Sequence, residues 1–221
     1  MSAYPKGPGR PRPAPDLRGL RRFTAPRAPR EERCELCGVP LPDDRHRHLV
    51  DTEQRRLACA CVPCAHLLDR PGASQGRFRA VPGRYLSDPG HRIDDTTWEL
   101  LRIPVGVAFC FRNSALDLPV VFYPSPAGAT ESELEPSSWE TLLAATPLAG
   151  MLEPDVEALL LRRTDDRTEC HLVPVDSAYE LVGRMRLSWQ GFDGGAEARA
   201  GLDAFFDRVR RQATPLQESR S

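Results

Sequence analysis

Ile103-Pro-Val-Gly-Val-Ala-Phe-Cys-Phe-Arg112, followed after Asn113-Ser114-Ala115 by Leu118-Pro-Val-Val-Phe-Tyr123, settles the fold class. Both runs are apolar and rich in Val and Phe, and a short polar segment separates them. This pattern predicts two strands joined by a brief connection. Downstream, Asp155–Arg163 carries the run Leu159–Leu161 and reads as a strand, because Thr164-Asp165-Asp166-Arg167 is a turn and Glu169–Val175 is a second strand-like run. Between these hairpins, Ser125–Glu135 reads as a polar loop. Pro136–Ala145 reads as a helix with Trp139, Leu142 and Leu143 on one face and a cap at Ser137 or Ser138. Asp176 or Ser177 caps a further helix running to about Trp189, and Gly191–Gly195 breaks the chain. Ala196–Gln212 is amphipathic, with Leu202, Phe205, Phe206 and Val209 at helical spacing. Two hairpins and three helices predict an α+β domain over residues 98–213, an antiparallel sheet covered by helices on one face.

Working outward, residues 71–97 are punctuated by Pro71-Gly72, Pro82-Gly83 and Pro89-Gly90 and read as a connector. Residues 31–70 form a separate cysteine-rich module, and residues 214–221 a short tail. Residues 1–30 hold seven prolines and eight basic residues against one acid, Asp16. Such a segment cannot offset its ordering entropy and is expected to be a disordered arm. It has no apolar core for a secretory signal, and no stretch of the chain reaches the roughly 18 apolar residues of a membrane span. A cytoplasmic protein is the expectation.

Five of the seven cysteines fall between Cys34 and Cys64. In a chain without an export signal, such clustering favours metal ligation over disulfides. Cys34-Glu-Leu-Cys37-Gly38 has the form of a zinc knuckle, and Cys61-Val-Pro-Cys64 repeats its spacing. The pattern C-x₂-C-x₂₃-C-x₂-C falls near the zinc-ribbon and treble-clef range. It predicts one structural Zn²⁺ held by Cys34, Cys37, Cys61 and Cys64. Four thiolates close the coordination sphere, so this ion stabilises folding and does not activate water. Two substitutions in the ligand set stay open, Cys59 for Cys61 and His48 for one Cys. With Cys61 as ligand, Cys59 is expected to be a small buried residue.

The same set of thiolates could hold iron in the manner of a rubredoxin. The His46-Arg47-His48 segment raises a second alternative, a treble-clef nucleic-acid-binding protein or nuclease, although the matching Asn is missing. Histidines packed on or hydrogen-bonded near the knuckle fit better. The arginines are no nucleic-acid footprint: Lys6 is the only lysine, which reflects a GC-rich coding bias. Cys110 reads as core. Cys170 and His171 fall on opposite faces of a strand and make no catalytic pair. The glycine-rich loop before the last helix lacks a P-loop lysine. No catalytic residue and no organic cofactor is assigned.

Several segments together resemble a known family: Cys34-Glu-Leu-Cys-Gly, His46-Arg-His-Leu-Val-Asp, Cys59-Ala-Cys-Val-Pro-Cys, Pro154-Asp-Val-Glu-Ala-Leu-Leu, Leu172-Val-Pro-Val-Asp-Ser-Ala-Tyr-Glu-Leu-Val-Gly, and Trp189 with Gly194-Gly195. Over about residues 31–212 the chain resembles an uncharacterised, mainly actinobacterial zinc-knuckle family often encoded beside nickel–iron hydrogenases. The resemblance implies a cytoplasmic, non-enzymatic accessory protein that binds a protein partner related to hydrogenase assembly or function.

Overall fold

The structure, a computed structural model, describes residues 31–42, 46–70, 72–115, 117–125, 128–132, 135–165, 167–188 and 195–217. The basic arm 1–30 and residues 191–194 of the expected break Gly191–Gly195 lie outside these residues, while Gly195 begins the last helix. The amino-terminal module begins with a turn at Cys34–Gly38. Strands β1 (His46–Asp51) and β2 (Arg56–Cys61) then form a hairpin, followed directly by helix α1 (Val62–Leu68). Knuckle, hairpin and helix follow the order of a treble clef, in agreement with the expected zinc-ribbon/treble-clef-like module. A third strand, β3 (Phe78–Ala80), pairs with β1 on the side away from β2. The small core between them contains Cys34, Leu41, Leu49, Ala60 and Ala65.

The second unit is built on a seven-stranded sheet. In chain order its elements are β4 (Leu86–Ser87), α2 (Asp95–Leu100), β5 (Val107–Asn113), β6 (Leu118–Ser125), β7 (Gly128–Ser132), α3 (Pro136–Ala145), α4 (Pro147–Met151), β8 (Glu157–Arg163), β9 (Thr168–Pro174), α5 (Val175–Ser188), α6 (Gly195–Gln212) and β10 (Thr214–Pro215). The spatial order is β10-β4-β9-β8-β5-β6-β7. Every pairing is antiparallel except the edge pair β10–β4. The α+β class read from the sequence holds.

The helices do not lie on one face of the sheet, as expected, but on both. Ala108, Cys110, Val121, Leu159, Leu161, Cys170 and Leu172 face Trp98, Leu142 and Leu148 of α2, α3 and α4. Val107, Phe109, Ala158, Leu160 and Val173 face Ala178, Leu181, Phe205, Phe206 and Val209 of α5 and α6. A strand covered on both sides has no polar face, so Glu157–Leu161 is buried at every position. The guanidinium groups of Arg162 and Arg208 each sit 4.9 Å from a phenylalanine ring of α6, over Phe206 and Phe205 respectively.

Other differences have local causes. Gly128–Ser132, expected in a polar loop, is the edge strand β7. Its Gly-Ala-Thr-Glu-Ser sequence lacks apolar alternation, because only β6 pairs with it. Helix α3 is not capped by Ser137 or Ser138. Glu135 is its N-cap and Pro136 opens the first turn, the position where a missing N–H costs nothing. The connector 71–97 contributes β3 to one sheet and β4 to the other. Residues 214 and 215, beyond the expected domain end, pair with β4. At Gly106 a Cβ would come within 2.6 Å of the Arg163 carbonyl oxygen, so the start of β5 tolerates no side chain there.

A seam of valines joins the two units: Val50 of β1 and Val81 pack with Val156 and Val175, and Leu57 lies against them. Arg79 donates from Nη1 to the Pro154 carbonyl at 2.5 Å. Arg84 holds the fully buried Glu157 through two hydrogen bonds of 2.5 and 2.7 Å. Within the module, Arg77 holds the buried Asp51 in the same two-pronged way at 3.1 and 2.6 Å. No helix among the described residues is long and apolar enough to cross a membrane.

Candidate metal centre

The knuckle is closed by two backbone hydrogen bonds of 2.8 Å, Gly38 N–H to the Cys34 carbonyl and Cys34 N–H to the Val39 carbonyl. Gly38 has φ +77°, a conformation that strains any side chain. The Glu35 carboxylate fastens this turn to β2 by accepting from the Cys59 amide at 2.8 Å and from Arg56 at 2.5 Å. The second pair of cysteines comes from the junction of β2 and α1. Cys61 is the N-cap of α1, and Pro63 stands in its first turn, where its missing donor is not needed. Cys64 follows on the same turn.

These elements bring the sulfurs of Cys34, Cys37, Cys61 and Cys64 within 4.8 Å of one another. Cys37 and Cys61 are 3.7 Å apart, sulfur to sulfur. A tetrahedral ion with sulfurs about 2.3 Å away sets sulfur–sulfur edges of about 3.8 Å. The group could therefore hold a metal ion, and four thiolates in this geometry are consistent with zinc.

The electrostatics point the same way. Burial raises the Cys34 thiol, but amides of Cys61, Cys37 and Leu36 hydrogen-bond its sulfur and bring it down to about 6. Cys64, hemmed in by the sulfurs of Cys61 and Cys37, is held up at about 12. Four anionic sulfurs at this separation repel one another unless a cation sits between them.

The remaining sequence candidates fall elsewhere. Cys59 is half-buried rather than a buried apolar filler, and it groups with His46 and His48 rather than with the four sulfurs. The strand register explains the grouping, since His48 lies directly across from Cys59, and His46 across from Cys61. His48 donates its Nδ1–H to Asp176 Oδ2 at 2.7 Å, and that hydrogen bond raises its pKa against the opposing effect of burial. Asp176 was expected to cap α5. It lies instead in the first turn of that helix and reaches across the seam. Ser177 Oγ pairs with the Tyr85 hydroxyl at 2.6 Å. Neither partnership has a sequence signal, because Asp176 is 128 residues from His48.

Cys110 is fully buried in the sheet. Cys170 and His171 do point to opposite faces: Cys170 packs in the layer with Leu142 and meets Thr146 Oγ1 at 3.7 Å, while the His171 ring lies 6.2 Å from that of Phe206. Residues 33–213 match the profile of a family of unknown function (DUF5947). No curated protein and no solved structure matches the chain.

Proposed function

The chain belongs to that family of unknown function, DUF5947, and we propose that it is a non-enzymatic zinc-binding accessory protein that works by docking on a protein partner. The observation that carries the reading is the four-sulfur group of Cys34, Cys37, Cys61 and Cys64 at tetrahedral spacing. Four thiolates leave no open position, so the ion's role is to fold the module. The module in turn presents Leu36 and Val39 on the knuckle and Val62 and Leu67 on α1, all exposed. Apolar groups displayed on a metal-braced scaffold suit a protein contact. The resemblance carried by the segments quoted above, from Cys34 to Gly195, implies a partner connected with nickel–iron hydrogenase assembly or function.

Two measurements test this. Elemental analysis of protein purified without chelators is expected to find zinc, released by Ser at any of the four cysteines. Red protein carrying iron would replace the zinc reading with a rubredoxin-like one, and protein without metal would end both. Affinity capture from the native host is expected to recover a hydrogenase-related protein, and Leu67→Asp is expected to abolish that capture. Capture unchanged by Leu67→Asp would remove the docking surface, and recovery of unrelated partners would remove the hydrogenase connection.

A further inference from the structure

We propose a second metal site in this chain, formed by His46, His48 and Cys59, which takes a divalent transition-metal ion and leaves one coordination position open. The three side chains share one face of the β1–β2 hairpin, since His46 and His48 are two residues apart and Cys59 is the cross-strand partner of His48. Their ligand atoms lie within 4.8 Å of one another. The two imidazole rings meet edge to face with centroids 4.9 Å apart. His46 Nδ1 is buried and has no hydrogen-bond partner among the described residues, so the ring carries an unsatisfied nitrogen.

Two imidazoles and one thiolate suit zinc and its neighbours of borderline softness, and three protein ligands with a free position are the arrangement of exchangeable and reactive ions rather than structural ones. Asp176 completes the design. Its carboxylate engages His48 Nδ1 at 2.7 Å, which orients the ring and leaves Nε2 for an ion, the carboxylate–histidine–metal arrangement. The neighbouring charge favours a cation as well: four thiolates on Zn²⁺ carry a net charge of about −2, and His46 faces Cys61 of that group across the hairpin. A cleft of about 350 Å³ lined by His46, His48, Tyr85, Asp176 and Glu180 opens beside the histidines. Water or a small donor ligand can reach the fourth position from there.

This site uses none of the four sulfurs but rests on the proposed metal-folded module that carries them, and its test keeps the two ions apart. The full chain is titrated with Zn²⁺ and with Co²⁺, metal content is counted after gel filtration, and the Co²⁺ absorption is recorded. The expected result is two ions per chain, the second with a spectrum of mixed nitrogen and sulfur ligation. His46→Ala and Cys59→Ser each reduce the count to one and remove that second spectrum. Asp176→Asn, which spares all three ligands, weakens the second ion 10- to 100-fold and leaves the first unchanged; it serves if a ligand substitution unfolds the hairpin. Saturation of the wild-type protein at one ion overturns the proposal, as does a second ion that survives both Cys59→Ser and His46→Ala. Loss of the sole ion in Cys59→Ser would place Cys59 in the first centre and overturn it equally.

Discussion

Between Cys34 and Leu68 the fully buried apolar side chains are Leu49 and a few alanines, whereas the sheet domain buries Trp98, Phe205, Phe206 and a row of leucines. The first region has little apolar surface to fold on alone, and in the proposed reading a bound ion replaces the missing core. The second has two core layers and needs no ion. Size alone does not make the difference, because a sheet covered on both faces buries every residue of a strand such as Glu157–Leu161, while a hairpin with one small helix covers only one side. The valine seam between Val50 and Val175 is where the two regions pack together.

The largest expected effect comes from removing metal. Structural zinc contributes an apparent 10–16 kcal/mol, roughly, to small modules. Chelation is expected to expose residues 31–70 to protease and to hydrogen exchange while strands β5, β8 and β9 stay protected. If the sheet loses its protection together with the module, the two are one cooperative unit and the contrast fails.

Phe206→Ala is expected to cost about 3–5 kcal/mol in denaturant unfolding, because the ring is fully buried against the sheet. Metal content is expected to stay unchanged. A neutral Phe206→Ala would mean that α6 does not belong to this core. At the seam, Arg84→Ala leaves the buried Glu157 carboxylate with the Glu153 amide as its one hydrogen-bond partner among the described residues. Such a loss is expected to cost about 3 kcal/mol, and Glu157→Gln in the same background is expected to recover part of it.

The smallest effect is one of pH and belongs to the sheet domain. Burial depresses the His171 pKa below its ordinary value of 6.5, against the raising effect of Glu169. The folded state then takes up a proton less readily than the unfolded one. Stability is full above pH 6.5 and falls as pH drops from there through the lower folded value. A melting series between pH 7.5 and 5 is expected to show that slope, flattened in His171→Gln. Asp51 in the module is held low chiefly by its hydrogen bonds to Arg77. Its contribution is present above the ordinary value of 3.8 and is lost only as pH falls further, through the folded pKa.

The sequence made some of this visible and hid the rest for physical reasons. Strands β5, β6, β8 and β9, helices α3 and α6 and the cysteine spacing are local patterns, and each was legible. Strand β7 was not, because an edge strand with one neighbour needs no apolar stripe. The second helical layer was not, because a run such as Leu159-Leu160-Leu161 reads alike whether one face or two are covered. His46, His48 and Cys59 were each in view, but only the register of β1 on β2 sets them side by side, and only the packing of α5 brings Asp176 to them.

Strand β4 is two residues long, yet it sits between β9 and β10, whose residues follow it in the chain by more than eighty positions. During synthesis this edge has no neighbour until nearly all of the chain has emerged. The knuckle, hairpin and first helix are complete by Leu68, and the contacts among them span far less chain than those of β4 with β9 and β10, so they form sooner. The newborn chain therefore has its four sulfurs ready for an ion while the sheet is still waiting for its partners. With the proposed ion bound there, the module would be the first part of the chain able to fold.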